Sequence, residues 1–252
     1  MSMGPAWPQQ VLNLPVDAAR NVFEFAYHPA AYIHPERAQH GVPALLQNAG
    51  LSTQHVSEGL LSLEAMSPWN GLDWSSLHHR PALLPFEGLQ VLAWRLGLAS
   101  MAPRLRRVIG REEWQTLSEF LSPADWQWVD EWPRPMAAGP SPRSASLSST
   151  SQHTFSQPLN WLPADALTDL PVSTWPELLQ QWGWDVVDAA CGSMPAYIGQ
   201  RLRLKLPLLD ESLKPPASTL ALTALVAAYP GAVAQWNPAW DAAWVSTART
   251  AQ

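Results

Sequence analysis

Two lysines, Lys205 and Lys214, are all that the 252-residue chain contains, and cysteine occurs once, as Cys191. Neither lysine follows a glycine-rich loop, which excludes a P-loop nucleotide motor. A single cysteine makes no internal disulfide, as suits a reducing compartment. Charged side chains are scarce at 14%, well below the roughly 25% of ordinary globular chains. The formal net charge of −6 lacks the cationic excess that phosphate binding needs, which argues against a nucleic-acid partner. Long hydrophobic runs are missing too. The longest uncharged stretch, 215–240, is broken by Pro230-Gly231, and its strongly apolar part, Leu220 to Tyr229, is far shorter than a bilayer span. Met1 to Asp17 has no basic stretch followed by an apolar run, so no signal peptide is expected.

Motifs of site chemistry are equally sparse. His28 and His34, and the adjacent His78 and His79, do not fall into metal-ligand spacing, and no Cys-x-x-Cys occurs, so neither a metal nor a cofactor is expected. Cys191-Gly192-Ser193 lacks the glycine-flanked form of a nucleophile elbow. Glu112-Glu113 and Asp130-Glu131 are neighbours in sequence, which on a helix point apart, so they read as solvated faces rather than paired acids.

What the chain does have is apolar residues at 47%, with 25 prolines and 15 tryptophans. The prolines predict many short elements with firm stops. The tryptophans supply large buried area and are enriched at binding hot spots. Residues 1–19 read as a loose arm. A helix is expected after Pro43, ending at Gly50, and another over Val56 to Ala65. Ser67 to Gly71 reads as a turn. Phe86 to about Met101 is apolar on nearly every face, as befits a central buried helix; Pro103 is expected to restart the chain. Arg111 to Leu121 is amphipathic, and Ser122-Pro123-Ala124-Asp125 is a helix-start signal. About 134–158 is rich in Ser, Pro, Ala and Gly and reads as a flexible insertion. Thr174-Trp175-Pro176-Glu177 matches a capping box ahead of a helix closing at Cys191-Gly192. Arg201 to Leu206 alternates basic and leucine residues, which predicts an extended, half-buried segment. Ser218 to Tyr229 is helical up to Pro230-Gly231, and Asn237-Pro238 opens a last helix. The expected fold is a mostly α, compact single domain over 20–252 with at most one short extended segment.

Two cationic runs stand out. Arg104, Arg106, Arg107 and Arg111 form the densest, and Arg201, Arg203 and Lys205 form a ridge opposite three leucines. Each is either a solvated face or a docking surface for an acidic partner.

Three segments carry a resemblance. Phe25-Ala26-Tyr27-His28-Pro29-Ala30-Ala31-Tyr32-Ile33-His34-Pro35-Glu36, Leu92-Ala93-Trp94-Arg95-Leu96-Gly97-Leu98 and Arg201-Leu202-Arg203-Leu204-Lys205-Leu206-Pro207-Leu208 resemble, in order and approximate spacing, segments of the SctK/YscK family of type III secretion sorting-platform proteins. The similarity spans about Phe23 to Leu208. The long insertion and the N-terminal arm depart from that family and inherit nothing from it. The resemblance implies a cytoplasmic, helical, non-catalytic adaptor at the cytosolic face of the inner membrane. Such an adaptor connects the cytoplasmic domain of the inner-membrane ring protein to the pod protein of the platform. A secretion chaperone or effector, or a small hydrolase whose site assembles only in the fold, stay open beside it.

Overall fold

A computed structural model of the chain describes residues 14–64, 66–71, 78–106, 111–132, 171–209, 219–237 and 239–240. The fold is mostly α. Among the described residues it comprises ten α-helices and three short 3₁₀ turns, with no strand. The helices are α1 (Val16–Tyr27), α2 (Pro35–Ala38), α3 (Gly41–Asn48), α4 (Thr53–Leu63), α5 (Phe86–Leu105), α6 (Arg111–Phe120), α7 (Pro123–Glu131), α8 (Trp175–Cys191), α9 (Ala196–Leu204) and α10 (Thr219–Trp236).

Helix α5 is the axis, as its all-round apolar sequence predicts. Leu89, Leu92, Ala93, Leu96 and Leu98 are completely buried. It packs most extensively on α8, and both pack on α10. The α5–α8 crossing depends on two glycines. A Cβ on Gly97 would lie 1.9 Å from the Leu179 carbonyl oxygen, and one on Gly183 would lie 1.7 Å from that of Ala93. The helices therefore touch backbone to backbone, each offering a glycine to the other's carbonyl. Around this crossing one large core joins α1, α5, α8, α9 and α10. A smaller one gathers the C-terminal half of α5 with α6, α7 and the start of α8.

Local chemistry sets most of the ends. Ser122 and Asp125 form the reciprocal cap of α7: the Ser122 hydroxyl accepts from the Asp125 amide, and Asp125 accepts from the Ser122 amide at 2.9 Å. Asp125 also takes the Trp94 indole N–H at 3.0 Å, tying α7 to α5. His34 caps α2 through Nδ1, accepting from the Glu36 amide. Gly50, at φ 68°, turns the chain after α3.

Other ends differ from the sequence reading. Helix α1 starts at Val16, inside the expected arm, because Ala18, Val22 and Phe25 already share a buried face. Pro103 and Pro230 do not stop their helices. Pro103 sits in the last turn of α5, and α10 continues past Pro230 to Trp236. An interior proline costs about 3 kcal/mol; Ala232 and Val233 beyond Pro230 are buried, and their packing offsets it. Thr174 makes no cap, since its hydroxyl donates instead to the Pro171 carbonyl. Arg201 to Leu206 is not extended: Arg201 to Leu204 belongs to α9. Strict alternation over six residues also places i, i+4 pairs on one helical side, and here Leu202 with Leu206, and Arg201 with Lys205, all turn inward. The insertion at about 134–158 and most of the last expected helix lie outside the described residues.

Candidate partner-binding surfaces

Burial decides the fate of the second cationic run. Arg201 is 2% exposed and Lys205 5%, so neither forms a surface ridge. Arg201 donates from Nε to the Ala26 carbonyl at 3.0 Å, and from one terminal nitrogen to the carbonyls of Ser67 and Tyr197. Its guanidinium lies 5.5 Å from the Trp69 ring centroid. Lys205 donates to the Ala82 and Leu84 carbonyls, both at 2.8 Å, and its Nζ lies 4.9 Å from the Phe25 ring centroid and 5.1 Å from that of Tyr32. Both cations are struts. Each ties α9 to backbone far away in sequence and satisfies carbonyls that would otherwise be buried without a partner.

Burial drives the Lys205 amine from its ordinary 10.5 down to about 7, against an opposing pull from the Glu24 carboxylate. The unfolded chain keeps an ordinary lysine of about 10.4. Between those values the unfolded state binds more protons than the folded one. Stability therefore gains from this group as pH rises, by up to about 1.4 kcal/mol per pH unit. Urea unfolding followed at about pH 7 and about pH 9 will show that gain, and Lys205→Met will remove it.

Several other cations are tied down as well. Arg203 pairs with the buried Asp188 carboxylate at 2.9 Å and keeps its side chain 38% exposed. Arg37, which sequence reasoning passed over, donates to the carbonyls of Leu206 (2.7 Å) and Pro207 (3.1 Å). Arg104 lies 4.7 Å from the Trp175 ring centroid. Arg106 donates to the carbonyls of Val129, Asp130 and Trp132, at the C-terminal end of α7 where the helix dipole favours a cation. Arg107 lies outside the described residues, and Arg111 is exposed at the start of α6. The first run is thus divided: Arg104 and Arg106 fasten α5 to α7 and α8, and Arg111 remains on the surface.

This sorts charge across the molecule. Among the described residues, Arg80, Arg95, Arg201 and Lys205 are buried, whereas most acids, including Glu87, Glu112, Glu113, Glu119, Asp130, Glu131 and Glu177, are exposed. Surface aromatics accompany them. Trp114 is 48% exposed and stacks on Trp126 at 4.4 Å between centroids.

The first and third segments of the resemblance meet in space. The Tyr32 hydroxyl donates to the Phe25 carbonyl at 2.8 Å, the His34 amide to the Leu204 carbonyl at 2.7 Å, and the Leu208 amide to Glu36 at 3.0 Å. With the Arg37 bonds, the Arg201 bond to Ala26 and the Lys205 amine over the Phe25 and Tyr32 rings, the His34 and Leu208 bonds lock 25–37 onto 201–208. In the middle segment every residue of Arg95-Leu96-Gly97-Leu98 has a task. Arg95 lies 4.7 Å from the Trp128 ring centroid and bonds Gln235, Leu96 and Leu98 fill the two cores, and Gly97 admits α8.

Beside this lock a cavity of about 430 Å³ opens to solvent, lined among others by Glu24, Tyr32, His34, Phe86, Glu87 and Lys205. No group of three or more His, Cys, Asp or Glu among the described residues is arranged to hold a metal. No helix of the described residues is long and apolar enough to cross a membrane. Among the described residues, fold and surface together define a helical body with four of its cations buried and most of its acids and some aromatics exposed. Comparison with family models, curated proteins and solved structures returns no match.

Proposed function

We propose that the protein is a non-enzymatic structural adaptor of a type III secretion sorting platform, working in the cytoplasm between the cytoplasmic domain of the inner-membrane ring protein and the pod protein. The observation that carries this reading is the convergence of the resembling segments. Residues 25–37 and 201–208, far apart in the chain, are joined by five hydrogen bonds, and the Lys205 amine lies against the Phe25 and Tyr32 rings. The matching residues are therefore those that specify a body, so likeness in them supports likeness of the body. An exposed aromatic such as Trp114 suits a protein whose task is contact.

Co-purification of the tagged chain with the ring domain and the pod protein is the expected result. A stable one-to-one complex with a secreted substrate and no ring association would replace this reading with a chaperone or effector.

One observation favours an enzyme instead. An amine near neutrality at the edge of a cavity meets the first requirement of a lysine nucleophile. Against it, the Lys205 N–H groups are spent on the Ala82 and Leu84 carbonyls. Borohydride trapping of a carbonyl compound on Lys205, with turnover, would establish the enzyme reading and end the adaptor one.

A further inference from the structure

The cavity beside Lys205 has a composition that no part of the adaptor reading uses. It lies between α1, the turn at His34 and the start of α5, and it measures about 430 Å³, within the usual range for ligand sites. Its walls are largely apolar and aromatic: Phe25, Tyr32, Ile33, Pro35, Leu83 and Phe86. Two carboxylates join them from separate helices, Glu24 on α1 and Glu87 on α5. The His34 ring, 5.0 Å from that of Phe86, is held toward its neutral form by burial. Lys205 stands deep in the wall with its N–H groups turned to two backbone carbonyls, so these donors are already occupied.

We propose that this cavity is a socket for a basic side chain, arginine or lysine, of a partner polypeptide. The proposal rests on the adaptor reading for the source of that side chain. Its chemistry follows from the lining. A cation on an apolar stem gains from ring faces, from apolar walls and from carboxylates at once. An anion would meet Glu24 and Glu87. The molecule already holds one instance of this pairing: Arg20 Nε lies 2.8 Å from Glu24 Oε1. That arginine is 74% exposed, and exposed pairs of this kind are weak, so an arginine reaching the cavity with ring contacts added displaces it.

The test is a titration of the full-length, isotope-labelled protein with N-acetylarginine amide, followed by amide shifts. Saturable shifts at Ile33, Phe86 and Lys205, with a dissociation constant of about 1–10 mM as expected for one anchored side chain, support the socket. N-acetylglutamate amide will give no saturable shift. Glu24→Gln with Glu87→Gln will weaken the arginine probe about fivefold or more, and Arg20→Ala will strengthen it about twofold, by removing the competitor. Both carboxylates reach solvent, and an unchanged melting temperature checks that the double variant is folded. Absence of saturable shifts, equal binding of the acidic probe, or an unchanged constant in the double variant overturns the proposal. Failure of the adaptor reading is separate. If the probe binds as described but the chain does not co-purify with ring and pod proteins, the cation site stands without its platform partner. If co-purification is normal and the double variant leaves it intact, the docking role falls and the adaptor stays.

Discussion

Replacing Gly183 by alanine will lower the melting temperature by about 10 °C or more, and Gly97→Ala will do nearly the same. In isolation the change should help, because alanine favours a helix interior by about 1 kcal/mol over glycine. Here the added methyl carbon would stand 1.7 Å from the Ala93 oxygen at position 183, or 1.9 Å from the Leu179 oxygen at position 97. Neither oxygen is the end of a flexible side chain; each is helix backbone. The helices must separate along their most extensive contact, and the buried side chains on both faces lose their fit. Overpacking of ordinary cores costs about 1–3 kcal/mol, and a backbone obstacle puts this crossing above that, at about 3–5 kcal/mol. The double variant will cost less than the sum, since the first methyl already opens the gap the second needs. Thermal unfolding by circular dichroism measures all of this. A melting point within a degree or two of the parent for Gly183→Ala would show that α5 and α8 do not cross as described.

Charge reversal at Arg201 or Lys205 has the second large effect. The reading of 201–206 as an exposed ridge expects glutamates at Arg201, Arg203 and Lys205 to weaken a partner and leave the fold alone. The structure reverses that expectation. A glutamate at 201 would face the Ala26, Ser67 and Tyr197 carbonyls that now accept from Arg201. One at 205 would face those of Ala82 and Leu84. Breaking a buried, hydrogen-bonded charge costs about 3–5 kcal/mol, and like-sign oxygens add to it. Total stabilities are about 5–15 kcal/mol, so either reversal alone will remove a large part of the chain's stability. Arg203→Glu is milder, because its side chain is partly in solvent, yet it strips Asp188 of its 2.9 Å partner and will cost about 1–3 kcal/mol. Urea unfolding of the three single variants separates the positions. A cooperative transition at the parent midpoint for Arg201→Glu would remove the strut assignment. In any partner assay these variants report on folding, so among the described residues of the cationic runs Arg111, exposed on α6, offers a reversal that tests a surface directly.

The helical class, the buried axis at Phe86 onward and the Ser122 helix start are legible in the sequence because each is a local property. All-round apolarity over four turns has one stable placement, and a serine three residues ahead of an aspartate with proline between them satisfies orphan amides wherever it occurs. The same local rules mislead at Pro103 and Pro230, where tertiary burial outweighs a proline's cost, and at Thr174, where the hydroxyl finds the Pro171 carbonyl instead. The contacts of Tyr32, Arg37 and Trp69 carry no local signal, for a related reason. Their importance is in what they touch, and the partners of Arg37 lie 169 and 170 positions along the chain.

By itself the sequence determined that this protein is helical, poor in charge, without a nucleotide loop, and built on one strongly apolar helix. It could not determine which side of α9 faces the core. Alternation of arginine and leucine is compatible with a strand edge or with a helix whose cations turn inward, and only the tertiary arrangement supplies the backbone carbonyls that make burying Arg201 and Lys205 favourable. A cation's place depends on the acceptors that surround it, and besides Tyr197 on the same helix those arrive from Ala26, Ser67, Ala82 and Leu84, none of them a neighbour in sequence.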